Sequence, residues 1–132
     1  MKIQVKDFMS SPVITAMSDH SISEIREIMK ENDINAMPVI AYANDTLKVD
    51  MTIEGVITST DISKGFKDST LVKDVMSATN VLVVHPNTNA KSAAKMMLKQ
   101  NKHHVVVMND GKVEGMISSL DFVRLVAEYK LE

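Results

Sequence analysis

The chain has 132 residues, of which 45% are hydrophobic and 24% charged, and its formal net charge is −2. This composition predicts one compact globular unit. It has no excess of positive charge that would favour binding to nucleic acid or to an anionic membrane surface. The absence of cysteine excludes disulfides and thiolate metal sites, and no apolar run approaches the roughly 20 residues of a membrane span, so we expect a cytoplasmic protein.

Two short motifs each occur twice, in the same order. The first motif opens the chain at Val5–Ser10 and returns at Val72–Ser77, with five of six positions identical. The second occupies Glu54–Asp61 and returns at Glu114–Asp121, with five of eight positions identical. A recurring pair of motifs in fixed order predicts two tandem copies of one unit.

Repeat one, residues 1–67, starts with a short predicted strand at Val13–Met17. Ser21–Glu24 is a capping box, a serine followed three residues later by glutamate, and it predicts the first helix. Asn35–Ile40 leads into a second strand, which we expect to turn back near Asn44–Asp45.

Repeat two, residues 68–132, follows the same plan. Its hairpin turn is predicted to be tight, because an Asp-Gly pair favours the turn type that matches the twist of the strands. The predicted strands, helices and turn are Val81–Val84, Thr88–Gln100, His103–Met108, Asn109–Lys112 and Ser119–Tyr129.

Each copy of the second motif is an apolar run that ends in hydroxyls and a carboxylate. This pattern is typical of a strand that leads directly into a helix N-cap. The helix after the first copy is predicted to carry Ile62 and Phe66. Such a junction directs backbone N–H groups and the positive end of a helix at one place, which suits an anion such as phosphate.

Two helices of repeat two carry more apolar residues than one buried face needs. We therefore predict a homodimer that forms through its helices. The apolar residues are Ala90, Ala93, Ala94, Met96, Met97 and Leu98 in the first of these helices, and Leu120, Phe122, Val123, Leu125, Val126, Ala127 and Tyr129 in the second.

In both repeats the chain resembles the CBS domain, named after cystathionine beta-synthase. The resemblance rests on the Val-Lys-Asp-x-Met-Ser opening, the Ala36–Val39 segment and the Gly-x-Ile-[Thr/Ser]-x-x-Asp motif, and it covers about residues 3–130. It implies an α+β fold of two tandem β-α-β-β-α repeats, packed by their sheets around a pseudo-twofold axis.

The resemblance also implies a function. Members of this family bind AMP, ADP, ATP or S-adenosylmethionine in clefts between two repeats and regulate another protein, and they rarely catalyse reactions. We therefore predict a stand-alone regulatory module whose ligand is AMP or ATP, with no cofactor, no bound nucleic acid, no membrane contact and an unidentified regulated partner.

The resemblance assigns roles to particular residues. The aspartate that closes the second motif, Asp61 or Asp121, accepts hydrogen bonds from the ribose hydroxyls, and the hydroxyl three residues earlier, Thr58 or Ser118, helps to hold ribose or phosphate. Adenine is expected against Val13, Ile14, Met37 and Pro38 in repeat one, and against Val81, Leu82 and Val105 in repeat two.

The pair His103-His104 matches a His-Arg pair that contacts phosphate in some members. Histidine is only partly charged near neutral pH, so phosphate binding here should be weaker and dependent on pH. Repeat one has Asn35-Ala36 at this position and supplies no cation, so the two clefts should differ.

Several alternatives remain open. The Thr58–Asp61 and Ser118–Asp121 pairs could be plain helix caps, and the two histidines could be surface residues. The protein could be a dimerisation scaffold that binds no ligand, or, as a weaker alternative, a sensor of divalent metals, although no closely spaced set of metal ligands occurs. We expect no enzyme, because the chain has no Gly-rich phosphate loop, no cysteine nucleophile and no convincing pair of catalytic carboxylates within one element.

Overall fold

The computed structural model describes residues 2–45 and 48–128, and of residues 44, 45, 48 and 49 it describes the backbone alone. The fold is α+β, as predicted, and divides into two compact units. The central unit is Ile14–Val81, and the terminal unit combines Met1–Val13 with Leu82–Glu132. No helix in the described part of the chain is long and apolar enough to cross a membrane.

The central unit contains a long antiparallel hairpin and one long helix. Its elements are α1 (Ile22–Asn32), β1 (Ala36–Asp45), β2 (Lys48–Thr58), α2 (Ser59–Ile62) and a 3₁₀ turn (Val72–Asp74). The predicted N-cap is confirmed, because the Ser21 hydroxyl accepts a 3.2 Å hydrogen bond from the backbone N–H of Glu24. The capping box is only half formed, since the Glu24 carboxylate accepts from the Ser21 hydroxyl at 3.2 Å instead of from the Ser21 N–H. The connection between β1 and β2, where we predicted a turn near Asn44–Asp45, falls on residues 46 and 47, outside the described residues.

Two predictions for the central unit are wrong. The strand expected at Val13–Met17 is reduced to one isolated bridge between Ala16 and Val39. The ladder does not extend because the neighbouring Pro38 has no N–H to donate. The helix α2 ends at Ile62, and Gly65 then adopts a φ of 82°, so that Phe66 lies beyond the helix instead of within it.

The terminal unit contains a three-stranded sheet, in which β4 pairs in parallel with β3 and antiparallel with β5. The predicted tight turn is confirmed, since Asp110 and Gly111 have φ values of 53° and 75°. The expected end of the last helix at Tyr129 lies outside the described residues. The elements are a 3₁₀ turn (Val5–Asp7), β3 (Leu82–Val84), α3 (Ala90–Gln100), β4 (His104–Asn109), β5 (Lys112–Ser118) and α4 (Ser119–Glu128).

The hairpins of the two units have the same register. Ala36 pairs with Thr58 in the central unit, and His104 pairs with Ser118 in the terminal unit. The register shifts between Val39 and Ile40 in the first hairpin, and between Val107 and Met108 at the equivalent place in the second. The strand ends that carry the two copies of the second motif are therefore equivalent in pairing as well as in sequence.

Each opening motif packs into the unit formed by the other repeat. Val5 is fully buried in the core of the terminal unit, and its N–H donates to the carbonyl of Thr88 at 2.8 Å. Ser10 and Met116 exchange two backbone hydrogen bonds of 2.9 and 3.1 Å. The first residues of repeat one thus extend the sheet and core of repeat two.

The second copy of the opening motif makes the matching contacts in the central unit. Val72 is fully buried there, and its N–H donates to the carbonyl of His20 at 2.8 Å. Ser77 exchanges two backbone hydrogen bonds with Val56, of 2.9 and 3.0 Å. Sequence repeats and compact units are therefore different divisions of the chain, and the predicted repeat boundaries at 1–67 and 68–132 stay a prediction.

The exchanged segments require a glycine in each second motif. A Cβ atom on Gly55 would lie 2.6 Å from the carbonyl oxygen of Ser77, and a Cβ atom on Gly115 would lie 3.0 Å from that of Ser10. Both distances are too short for ordinary van der Waals contact with a backbone atom that is itself held in a bridge. The glycines are needed for close approach of two backbones.

We expect Gly55→Ala and Gly115→Ala to lower the free energy of unfolding by about 1–3 kcal/mol each, the usual cost of an overpacked core. Urea denaturation followed by circular dichroism measures this change. Lys112→Ala, an exposed position on β5, is the control and should change stability little. A glycine variant as stable as this control would show that the opening motif does not pack at that strand.

Candidate functional site

The first candidate site is the junction between β2 and α2. The backbone N–H of Thr58 donates to the Asp61 carboxylate at 3.0 Å, and the N–H of Asp61 donates to the Thr58 hydroxyl at 3.2 Å. These reciprocal bonds form a complete capping box, so the cap interpretation of this pair is confirmed. Asp61 remains half-buried, and no described side chain donates a hydrogen bond to it.

The second candidate site is the junction between β5 and α4. The N–H of Ser118 donates to Asp121 Oδ2 at 2.8 Å, and the Ser118 hydroxyl lies 3.3 Å from the same oxygen. The other carboxylate oxygen, Oδ1, accepts a 2.9 Å hydrogen bond from Arg124 Nη1. Asp121 is only 7% exposed and is the one buried charged residue in the described part of the chain. Both of its oxygens therefore have partners.

Sequence reasoning missed Arg124. An aspartate and an arginine three positions apart on a helix lie on one face and can form an ion pair, so this spacing was a usable signal. The residue at the equivalent position of repeat one is Lys64, which is exposed and forms no ion pair with Asp61 among the residues that the structure describes. The two junctions therefore share their backbone geometry and differ in charge.

Both predicted histidines lie at the second junction. His103 Nδ1 is 3.2 Å from the Ser119 hydroxyl, and the N–H of Ser119 donates to the His103 carbonyl at 2.9 Å. His103 is exposed, whereas His104 is half-buried in β4 opposite Ser118. At the first junction, Asn35 takes the place of His103, and its carbonyl accepts from the N–H of Ser59 at 2.8 Å. Of the two junctions, the second therefore has an imidazole beside its helix start where the first has the amide of Asn35.

The residues expected to contact adenine divide into buried and accessible groups. Met37 and Val105 are fully buried in the cores of their units, and Leu82 is buried in the same core as Val105. Pro38 is also buried, and its carbonyl accepts from the N–H of Ala16. The accessible group consists of the half-buried Val13 and Val81 and the exposed Ile14. The structure therefore assigns core packing to the first group, and adenine contact stays a prediction for all seven residues.

No group of three or more His, Asp and Glu side chains within residues 2–45 and 48–128 is placed to hold a metal ion. Each junction instead combines one carboxylate with backbone N–H groups at a helix start. A carboxylate has about four acceptor positions, so it can hold its own cap hydrogen bonds and still accept a hydroxyl. Such a junction can bind a diol through the acid and an anion near the helix end.

Comparison with known proteins identifies the two repeats. The family model of the CBS domain matches residues 5–68 and 72–128. The crystal structure of the CBS domain pair of protein MJ0100, in complex with 5′-methylthioadenosine and S-adenosyl-L-methionine, is similar with a TM-score of 0.81. It is 32% identical, and the match covers 98% of this chain and 100% of that chain.

Two curated relatives show different extents of similarity. The L-aspartate semialdehyde sulfurtransferase of Methanocaldococcus jannaschii is 32% identical over 122 residues, which are 92% of this chain and 23% of that protein. The CBS domain-containing protein YhcV of Bacillus subtilis is 24% identical over 119 residues, which are 86% of this chain and 79% of that protein. The chain spans about a quarter of the length of the first curated relatives that it matches.

The different surroundings of the two aspartates predict different costs of neutralising them. In Asp121→Asn, an NH2 group replaces one carboxylate oxygen and cannot accept a hydrogen bond. Either the Ser118 N–H or Arg124 therefore loses its acceptor. We expect this change to lower the free energy of unfolding by about 1–2 kcal/mol, because the residue is buried although Arg124 is half exposed.

The matched change Asp61→Asn keeps one acceptor oxygen for the Thr58 N–H and should cost less than about 1 kcal/mol. Urea denaturation of both variants without ligand measures the difference. Equal costs at the two positions would contradict the described role of Arg124.

Proposed function

Because the chain belongs to the CBS-domain family and carries two tandem CBS domains, we propose that it is a regulatory module that binds an adenosine-containing ligand at its strand–helix junctions and modulates a partner protein. The observation that carries this proposal is the geometry of the second motif. In both copies an aspartate is fixed at a helix start with its carboxylate beside backbone N–H groups. This arrangement provides an acceptor for a sugar diol next to a place that favours an anion.

Adenosine is the part of the ligand that is best supported. The MJ0100 pair, at 32% identity, was crystallised with 5′-methylthioadenosine and S-adenosyl-L-methionine, and both of these compounds contain adenosine. We propose that AMP, ADP, ATP or S-adenosylmethionine is the ligand, with AMP or ATP first, because Arg124 offers a positive charge at the second junction and His103 lies beside the same helix start. The ribose hydroxyls would donate to Asp61 and Asp121.

Regulation would follow from a shift in population. A ligand changes a conformational equilibrium only by the difference in its affinity for the two states, so the module must have arrangements that bind the nucleotide unequally. We propose that the module acts in the cytoplasm on a partner that is not yet identified, and that it is not itself an enzyme. Among its relatives, the sulfurtransferase contains a matching segment that makes up 23% of its length.

One observation favours the alternative of a scaffold that binds no ligand. Each aspartate already accepts a hydrogen bond from the backbone N–H of the residue three positions earlier, and Asp121 is also paired with Arg124. A helix cap alone would account for these bonds. The two functions differ in whether the carboxylates accept further hydroxyls, which binding measurements decide.

A homodimer is part of the proposal. One side of α4 presents Leu120, Val123 and Val126, which are each at least 60% exposed, and Leu98 of α3 is 82% exposed. The three residues of α4 recur every three positions and form one continuous apolar stripe. A second copy of this chain is the occupant we propose for this stripe, because a symmetric pair would cover it on both partners at once.

Calorimetry with AMP, ADP, ATP and S-adenosylmethionine tests the ligand proposal. We expect at least one of them to bind, and Asp61→Asn and Asp121→Asn each to weaken binding at their own junction by roughly tenfold or more, since a charge-assisted hydrogen bond to ribose is lost. Lys112→Ala serves as the control and should bind normally. No heat with any of the four ligands at millimolar concentration would favour the scaffold.

Sedimentation velocity tests the dimer. Val123→Glu places a charge in the centre of the apolar stripe and should convert the dimer to monomer, because the charge would be desolvated at the interface. Thr52→Glu adds the same charge on the exposed face of β2 and should leave the dimer intact. A wild-type chain that sediments as a monomer at high concentration would contradict the proposed homodimer.

A further inference from the structure

The two junctions differ in the state of their carboxylates. At the second junction, Arg124 Nη1 contacts Asp121 Oδ1 at 2.9 Å, and the arginine side chain is 55% exposed while the aspartate side chain is 8% exposed. At the first junction, Asp61 is half-buried, and in the described part of the chain its only hydrogen-bond donor to the carboxylate is the N–H of Thr58. Lys64, at the position equivalent to Arg124, is exposed.

A ribose that binds at Asp121 must therefore compete with a guanidinium. Asp121 Oδ2 accepts from Ser118, Oδ1 accepts from Arg124, and the residue is only 7% exposed, so we expect a diol to reach the carboxylate by displacing the guanidinium. Moving the arginine aside removes a charged hydrogen bond from a buried carboxylate, and this cost is recovered only if the guanidinium pairs with another anion. The displaced guanidinium then lies beside the bound sugar and needs another anion.

We propose that Arg124 makes the second junction selective for adenosine ligands that carry a phosphate. On binding, the ribose hydroxyls take the place of the guanidinium at Asp121, and the guanidinium pairs with the phosphate. The number of ion pairs is then unchanged, and the pair formed with phosphate has the bidentate geometry that arginine favours. This inference rests on the proposed function and adds the residue that determines the ligand class of one site.

An uncharged adenosine ligand meets the opposite balance at this junction. It gives Asp121 its hydroxyls but leaves Arg124 without an anion, so the ion pair is lost and not replaced. At the first junction Asp61 forms no such pair with any side chain that the structure describes, so a neutral nucleoside loses no ion pair there. We therefore expect the second junction to discriminate between AMP and adenosine much more strongly than the first.

Calorimetry of AMP and of adenosine tests this inference in the Asp61→Asn background, where binding at the first junction is weakened and the second junction contributes most of the heat. We expect Arg124→Gln to weaken AMP roughly tenfold or more and to leave adenosine unchanged or bound more tightly, because the competitor for Asp121 has been removed. Arg124→Lys keeps the charge without the planar fork and should give an intermediate AMP affinity. Lys64→Gln is the matched control, and neither affinity should change more than about twofold.

The possible failures are distinguishable. Equal loss of AMP and adenosine in Arg124→Gln, or an unchanged AMP affinity, would overturn the selective role of Arg124 and leave the proposed function standing. Absence of binding of both ligands to the wild-type chain would overturn the proposed function and this inference with it. Circular dichroism of each variant establishes that it is folded, and Arg124→Lys supplies the test if Arg124→Gln is not.

Discussion

The orientation of both candidate sites depends on one hydrogen bond, from the last backbone N–H of a strand to the aspartate three residues later. The bond measures 3.0 Å at Thr58 and 2.8 Å at Ser118. It fixes the turn between strand and helix, and it directs the carboxylate to the place where the helix presents its free N–H groups. The same bond would also position the acid for the ligand that we propose, so its role in the helix cap is compatible with the proposed function.

The duplication has kept this geometry and changed the charge around it. The two hairpins share their pairing register and the place of their bulge, but only the second junction has an arginine paired with its aspartate and a histidine beside the helix start. Two sites with one backbone frame and different charges can respond to different members of one ligand class.

Much of the fold and part of the site could be predicted from local sequence. The structure has three features whose signals lie within a few residues of sequence: the helix cap at Ser21, the Asp-Gly turn and the acids of the second motif. The failures involve longer range or competing effects. The strand predicted near Ala16 needed a donor that Pro38 lacks, and Phe66 was separated from its helix by the left-handed turn at Gly65.

The sequence by itself determined that the chain is a duplicated α+β unit and where each strand leads into a helix, because periodicity, caps and turns act over short distances. Only the tertiary structure decided which opening motif completes which core. Val5 and Val72 belong to nearly identical hexamers, and either could fill either core by size and shape. Gly55 and Gly115 allow the same close approach in both units, so the choice depends on the path of the chain, a long-range property that no local pattern encodes.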